Sequence, residues 1–379
     1  MFIKRIKEIP LYLRALSILC IRPHRTPPSK ILSVAVFQGM KLGDAVCTTP
    51  LLHAIKKHLP KARVIFIGDK VNELVLAGSK DIDEYVVYTD AAHQLLVTRL
   101  SGKIDVGIIP GPNARAVAFF AHAGAKMIIA PKVVGGWSPY ETKWYRLLRP
   151  FVALMPHRFG EYAPREYLRL LEPLGIQETD TTKHLAVTDT ARVKMHTAVE
   201  GLKRPLVGIS ASAGNKAKRW SGERFAAVAA HVHARGGTAV IIGGPADQEE
   251  VAGMRAHLGS TPVADFSMKT SIEELKALIA EFDLFIALDT GPIYVAEAFD
   301  VPTVDIVGPM DEREQPPRGP LNLVVVPPFP RIPQMHIMNA RIFDVAEATR
   351  QTESITVAQV TEAIDQVLAK NRSSGHEPR

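Results

Sequence analysis

After residue 30, short apolar runs alternate with longer helical patterns, and this alternation constrains the chain more than any other feature. "ILSVAVF", "ARVIFIG", "EYVVY", "IDVGIIP" and "KMIIAP" are each a strand long, while "PLLHAIKKHL" and "ARAVAFFAHAG" carry helical spacing. Strands apolar on both faces belong in a parallel sheet covered by helices on each side, because a strand with one wet face would alternate polar and apolar residues. A second series begins at "KRPLVGIS" and continues through "TAVIIGG", "TPVAD", "DLFIALD" and "VPTVDIVG". Its helices are well marked: Phe225, Val228, Ala229 and Val232 share one face, and Ser271 with Glu274 has capping-box spacing. The expectation is an α/β protein with two doubly wound, Rossmann-like halves, which suits a chain of 379 residues.

The expected division has four parts. Residues 1–30 form a basic amphipathic segment, 31–180 a first domain with its linker, 181–355 a second domain, and 356–379 a C-terminal helix with a polar tail. In the first part, Lys4, Arg5, Lys7, Arg14, Arg22 and Arg25 are interleaved with apolar residues. The apolar run from Leu11 to Ile21 is too short to cross a bilayer and has no cleavage site after it, so it reads as a helix, broken near Pro10. Such a helix suits either an anionic membrane surface or the protein's own body. The stretch from Gly135 to Ile176 reads as a linker with helices, and Trp137, Trp144 and Tyr145 either stand exposed beside a cleft or pack the joint. Thr356 and Gln359 cap the last helix, and the chain beyond Lys370 reads as disordered.

The formal charge of +7 and pI near 9.3 favour anionic partners. The basic residues are dispersed and no nucleic-acid recognition motif accompanies them, so no nucleic-acid partner is expected. Two cysteines, Cys20 and Cys47, make no disulfide framework and fit a reducing compartment. There is no G-x-G-x-x-G after the first strand, no P-loop motif, and no Cys/His set at zinc spacing. "DID" at 81–83 imitates a metal-binding pair but reads as a solvated loop.

Three junctions carry chemistry. In "ALDTGPIYVAEAFDVP", Asp289 closes a strand, Thr290 and Gly291 turn, and Pro292 opens a helix whose N-terminus suits an anion. There Gly291 permits close approach, Thr290 offers a hydroxyl, and Asp289 accepts from sugar hydroxyls; a capped turn with no ligand is the alternative. After "PLVGIS", Ala211, Ser212, Ala213 and Gly214 leave room at the backbone, and Lys216, Lys218 and Arg219 supply charge, as a diphosphate cradle needs. In "VFQGMKLGDAVCTTPLLHAI", the chain turns at Gly39 and Gly43 and sets Asp44 at a helix start, either as a cap or as a proton acceptor.

In this order, "LGDAVCTTPLLHAIKKHLPKARVIFIG", "EYLRLLEPLGI", "NKAKRWSGERFAAVA", "VIIGGPADQEE" and "LDTGPIYVAEAFDVPTVDIVGP" resemble glycosyltransferase family 9, the ADP-heptose:lipopolysaccharide heptosyltransferases and their relatives, over most of residues 31–370. The resemblance implies a GT-B architecture, two Rossmann-like domains facing a cleft, with the nucleotide sugar held mainly by the second. It implies an inverting transfer of a heptose or related sugar that needs no metal and no cofactor. Carried over by position, Asp44 is the general base, Lys218 the diphosphate lysine, and Asp289, Thr290 and Gly291 the donor-contacting turn. Ser212, Gly214 and Tyr294 fall on the donor side, Glu249 on the ribose, and Gln38, Lys41 and Arg115 on the acceptor side. The implied partners are a nucleotide sugar such as ADP-heptose and a lipopolysaccharide-type acceptor, met in the cytoplasm or at the inner face of the cytoplasmic membrane. Two positions depart from the family pattern: Tyr294 stands where relatives usually have histidine, and Gln38 where an arginine is common. Those departures are also compatible with a non-catalytic nucleotide-sugar-binding or assembly protein of the same fold.

Overall fold

In the computed structural model, which describes residues 2–39 and 41–373 (backbone alone for 2–7, 372 and 373), the chain forms two compact units. One comprises Met1–His184 with Ile337–Arg341, the other Leu185–His336 with Ile342–Arg379. The side chains of Lys4, Arg5 and Lys7 and the tail after Ser373 lie outside the described residues.

The first unit contains strands β1 (Ser33–Phe37), β2 (Arg63–Gly68), β3 (Glu84–Val87), β4 (Val106–Ile108), β5 (Met127–Val134) and β6 (Ala153–Arg158). They form one parallel sheet in the order β3-β2-β1-β4-β5-β6. The second contains β7 (Leu206–Ser210), β8 (Thr238–Ile242), β9 (Val263–Asp265), β10 (Leu284–Leu288), β11 (Thr303–Ile306) and β12 (Asn322–Val325), in the order β12-β11-β10-β7-β8-β9. Counted from each unit's first strand, both sheets follow the doubly wound order 3-2-1-4-5-6. The central strands β1, β7 and β10 are buried throughout, which is why their sequences read as unbroken apolar runs.

The same device aligns the two central strands of each sheet. Asp105, just before β4, accepts the N–H groups of Leu32 (2.7 Å) and Ser33 (3.0 Å) at the start of β1. Asp283, just before β10, accepts the N–H of Leu206 (2.6 Å) at the start of β7, and Arg204 holds its other oxygen at 2.8 Å. Each carboxylate satisfies backbone donors at the start of a central strand.

Several sequence expectations are corrected. The 135–176 stretch is more than a linker: it contributes β6, one of the two edge strands of the first sheet. Within it Tyr145 is fully buried with its hydroxyl donating to the Pro131 carbonyl at 2.5 Å, Trp144 stacks on Tyr12 at 5.1 Å, and Trp137 is exposed. The strand β12 was not anticipated either. The N-terminal helix, Phe2–Ile21, runs through Pro10 without a break. An interior proline costs a helix about 3 kcal/mol; burial of Tyr12, Ala15 and Leu19 in the core of the first unit offsets it, at about 2 kcal/mol for Leu19 alone. This segment and the C-terminal helix, Val357–Ser373, are integral to the two units rather than separate parts, and that helix continues past Lys370. The second domain, read as unbroken from 181 to 355, is interrupted where Ile337–Arg341 joins the first unit.

Candidate active site

In sheets of this order, the crevice for a ligand opens beyond the carboxyl ends of the first and fourth strands, where the crossovers turn opposite ways. Each unit places its polar junction residues there.

In the second unit the loop after β7 and the turn after β10 meet. Lys218 ends a one-turn 3₁₀ helix, Lys216–Lys218; its Nζ donates to Asp289 Oδ2 at 3.0 Å and to the Asp289 backbone carbonyl. Tyr294, buried, donates its hydroxyl to Asp289 Oδ1. Lysine and aspartate are 8% and 3% exposed, so this is a buried pair whose charges balance. Thr290 is extended, at φ −143° and ψ 168°, before the helix Gly291–Ala298. Its hydroxyl caps nothing, and the oxygen, out of contact with solvent, has no hydrogen-bond partner among the described residues. A helix start with its partial positive charge, an idle hydroxyl and an adjacent ammonium together suit a diphosphate.

The lysine turn is held from far along the chain. The Thr352 hydroxyl donates to the Ala217 carbonyl at 2.8 Å, and the Trp220 indole donates to the Ile355 carbonyl at 2.9 Å with its ring edge-on to Phe225. Asn215 accepts the Ala217 N–H at 3.1 Å. Trp220 thus acts as an anchor for the loop that carries Lys218. Ser212 and Gly214 lie on that loop, half-buried and exposed respectively. Glu249 lies in the first turn of the helix Gln248–Arg255 and faces Arg219, at 3.2 Å, with its side chain 74% exposed; Glu250 binds the same guanidinium at 2.5 Å.

In the first unit the corresponding crevice is a small cavity. Gln38 and Gly39 line it after β1, Gly111 and Asn113 after β4, and Asp44, Tyr140, Ile337 and Met338 are among its other walls. Asp44 is the third residue of the helix Leu42–Cys47, where it accepts the Lys41 N–H at 3.2 Å; the cap residue is Lys41, and Gly43 lies inside the helix rather than in the turn. Asp44 therefore caps and faces the cavity at once. Burial, and then the Asp44 carboxylate, raises the Tyr140 phenol above its ordinary pKa. Gln38 is buried and donates to the Thr48 hydroxyl at 3.2 Å. Lys41 is exposed beside the cavity. Arg115 is not among the residues lining the cavity: its guanidinium is held by Glu8 and Asp90, against the acceptor-side expectation.

Sequence reasoning missed Tyr140 and the Ile337–Met338 strap, which no local motif announces, and the anchors Thr352 and Ile355, which lie some 135 residues from the loop they hold. Asp311, Glu314 and His336 also gather in the second unit, but they are engaged with charge partners: Arg313 forks onto Asp311, and His336 Nδ1 lies 3.0 Å from Glu314.

Two Rossmann-like units, each with polar residues at its switch point, define a fold of the GT-B class. A model of glycosyltransferase family 9 (heptosyltransferase) matches residues 157–340. The lipopolysaccharide heptosyltransferase 3 of Escherichia coli (strain K12) is 30% identical over 287 residues, covering 71% of this chain and 80% of that protein. The family 9 glycosyltransferase structure from Veillonella parvula DSM 2008 superposes with a TM-score of 0.73 at 22% identity, covering 91% of this chain and 100% of that one. The E. coli ADP-heptose lps heptosyltransferase II gives 0.71 at 16% identity, with 90% and 99% covered. The chain belongs to glycosyltransferase family 9. It is an enzyme, and the non-catalytic alternative is set aside.

Proposed function

We propose that the protein transfers a heptose from ADP-heptose to a sugar hydroxyl of a lipopolysaccharide-type acceptor, with inversion and without a metal. The observation that carries this reading is the junction of Lys218, Asp289 and the Thr290–Gly291 helix start at the switch point of the second unit. The relatives, a lipopolysaccharide heptosyltransferase and an ADP-heptose lps heptosyltransferase, suggest the sugar and the acceptor class. In the proposed step the acceptor hydroxyl attacks the anomeric carbon as the bond to the diphosphate oxygen breaks, Asp44 takes the hydroxyl proton, and ADP leaves. Lys218 and the helix terminus balance the charge that develops on the departing diphosphate, the task a divalent ion performs elsewhere. Tyr294, in place of histidine, keeps a donor on Asp289. Glu249, beside Arg219, is assigned to the ribose, and Ser212 and Gly214 to the diphosphate side. Gln38 and Lys41 border the acceptor.

The N-terminal helix suits an anionic bilayer. Its outward face exposes Ile9, Leu13 and Ile21 beside Arg14 and Arg22, and the neighbouring helix Lys143–Leu148 adds Lys143, Arg146 and Leu147. Among the described residues no helix is long and apolar enough to cross a membrane. We assign the enzyme a peripheral position where its lipid acceptor lies.

The test is transfer itself. Incubation with ADP-heptose and truncated lipopolysaccharide cores, in the presence of EDTA, should release ADP and add one heptose to one core, read by mass. No product with any core would refute the reading.

A further inference from the structure

Asp305 lies within β11, in register with Ala287 of β10, and is completely buried. Neither of its carboxyl oxygens has a hydrogen-bond partner among the described residues. An ionised carboxylate in that position, without donors, would cost more than a fold of this kind can absorb. The charged groups that act on it are Asp289 from the end of β10, Glu297 from the helix Gly291–Ala298, and Lys218 from the 3₁₀ turn; Tyr294 of that same helix bonds Asp289. Burial, then the Asp289 charge, pushes its pKa well above the ordinary carboxylate range, with Lys218 opposing and Glu297 adding. Asp305 therefore holds its proton.

Its location gives that proton a use. Asp289 follows Ala287 by two residues, so it shares the sheet face of Asp305 and is its diagonal neighbour. Without a ligand, the Asp289 carboxylate receives Lys218 and Tyr294. A diphosphate drawn to the helix start takes the ammonium and leaves Asp289 short of one donor. A neutral carboxylic acid next to it can turn its O–H to fill the gap, and its neutrality spares the arriving anion a further repulsion.

We propose that Asp305 is a positioning residue of the donor site, a protonated acid that hydrogen-bonds Asp289 when the diphosphate of the donor engages Lys218. The proposal rests on the reading of Lys218 as the diphosphate ligand.

The experiment uses the full chain and ADP as the probe. Infrared difference spectra of the wild type at neutral pH should contain the carbonyl stretch of a protonated carboxylic acid, missing from Asp305→Asn and shifted when ADP is added. Asp305→Val, which removes the donor, should weaken ADP binding by about tenfold or more, the loss of one hydrogen bond to a charged group. Its thermal stability should hold or rise, because no protein hydrogen bond is lost; a merely structural aspartate would show the reverse. Asp305→Asn, neutral and still a donor, should recover most of the lost affinity. Absence of the acid band, or wild-type ADP affinity in Asp305→Val, overturns the proposal. Failure of the wild type to bind ADP at all would instead sink the assignment of Lys218, and the proposal with it.

Discussion

Replacing Lys218 by methionine keeps the stem of the side chain and removes only its charge. The Nζ now serves Asp289 twice, at its carboxylate and at its backbone carbonyl, and both side chains are almost wholly out of solvent. Taking one partner from a buried ion pair typically costs about 3–5 kcal/mol, because the remaining charge is left uncompensated. The Tyr294 hydroxyl still bonds Asp289 and should hold the loss to the lower end. Removing both charges, as Lys218→Met with Asp289→Asn, should therefore be more stable than Lys218→Met alone. Donor affinity should behave differently. A charge-assisted bond to a diphosphate contributes roughly 1.5–3 kcal/mol, so ADP should bind about ten- to a hundredfold more weakly to the single variant, and the second substitution should not restore it. Urea unfolding measures the first quantity and titration calorimetry with ADP the second. Unchanged ADP affinity in Lys218→Met would remove this lysine from the donor site, and a double variant no more stable than the single one would refute the charge-balance argument.

Asp44→Asn should lower the transfer rate by about 10²–10⁴ while ADP affinity and stability stay near wild type, since an amide oxygen still accepts the Lys41 N–H; rapid turnover would remove Asp44 as the base. Burial first, and Arg169 second, holds the pKa of His157 at about 4, well below the roughly 6.5 of an unfolded chain. Its contribution is complete above pH 6.5 and disappears as pH falls toward 4, about 3 kcal/mol that His157→Asn should not lose, seen by comparing urea midpoints at the two ends of that range. Reversing Arg14 and Arg22 to glutamate should weaken cosedimentation with anionic vesicles, by roughly 2 kcal/mol or more, and leave transfer to a soluble acceptor intact; equal cosedimentation would rule out the helix as the docking face.

The class of fold was already written in the apolar runs. Strands such as "LVGIS" and "LFIAL" are buried on both faces, so hydrophobicity alone marks them, and two series of them imply two doubly wound halves. The junctions after them were legible too, since Asp44, Lys218 and Asp289 follow strand ends at short range. Two of the four edge strands, β6 and β12, escaped notice for the complementary reason: they are only partly buried, and "ALMPHR" contains a proline and a histidine where a run of valines would have been plain. Arg115 has the right charge for an acceptor site, yet its partners Glu8 and Asp90 are set by how the N-terminal helix packs. The tie from Trp220 to Ile355, the strap that brings Met338 to the cavity of Asp44, and the solitary Asp305 have no local signature at all. Short-range order and burial follow from neighbouring residues, whereas the charge a buried group can hold depends on whichever distant segments surround it, and only the folded chain decides that.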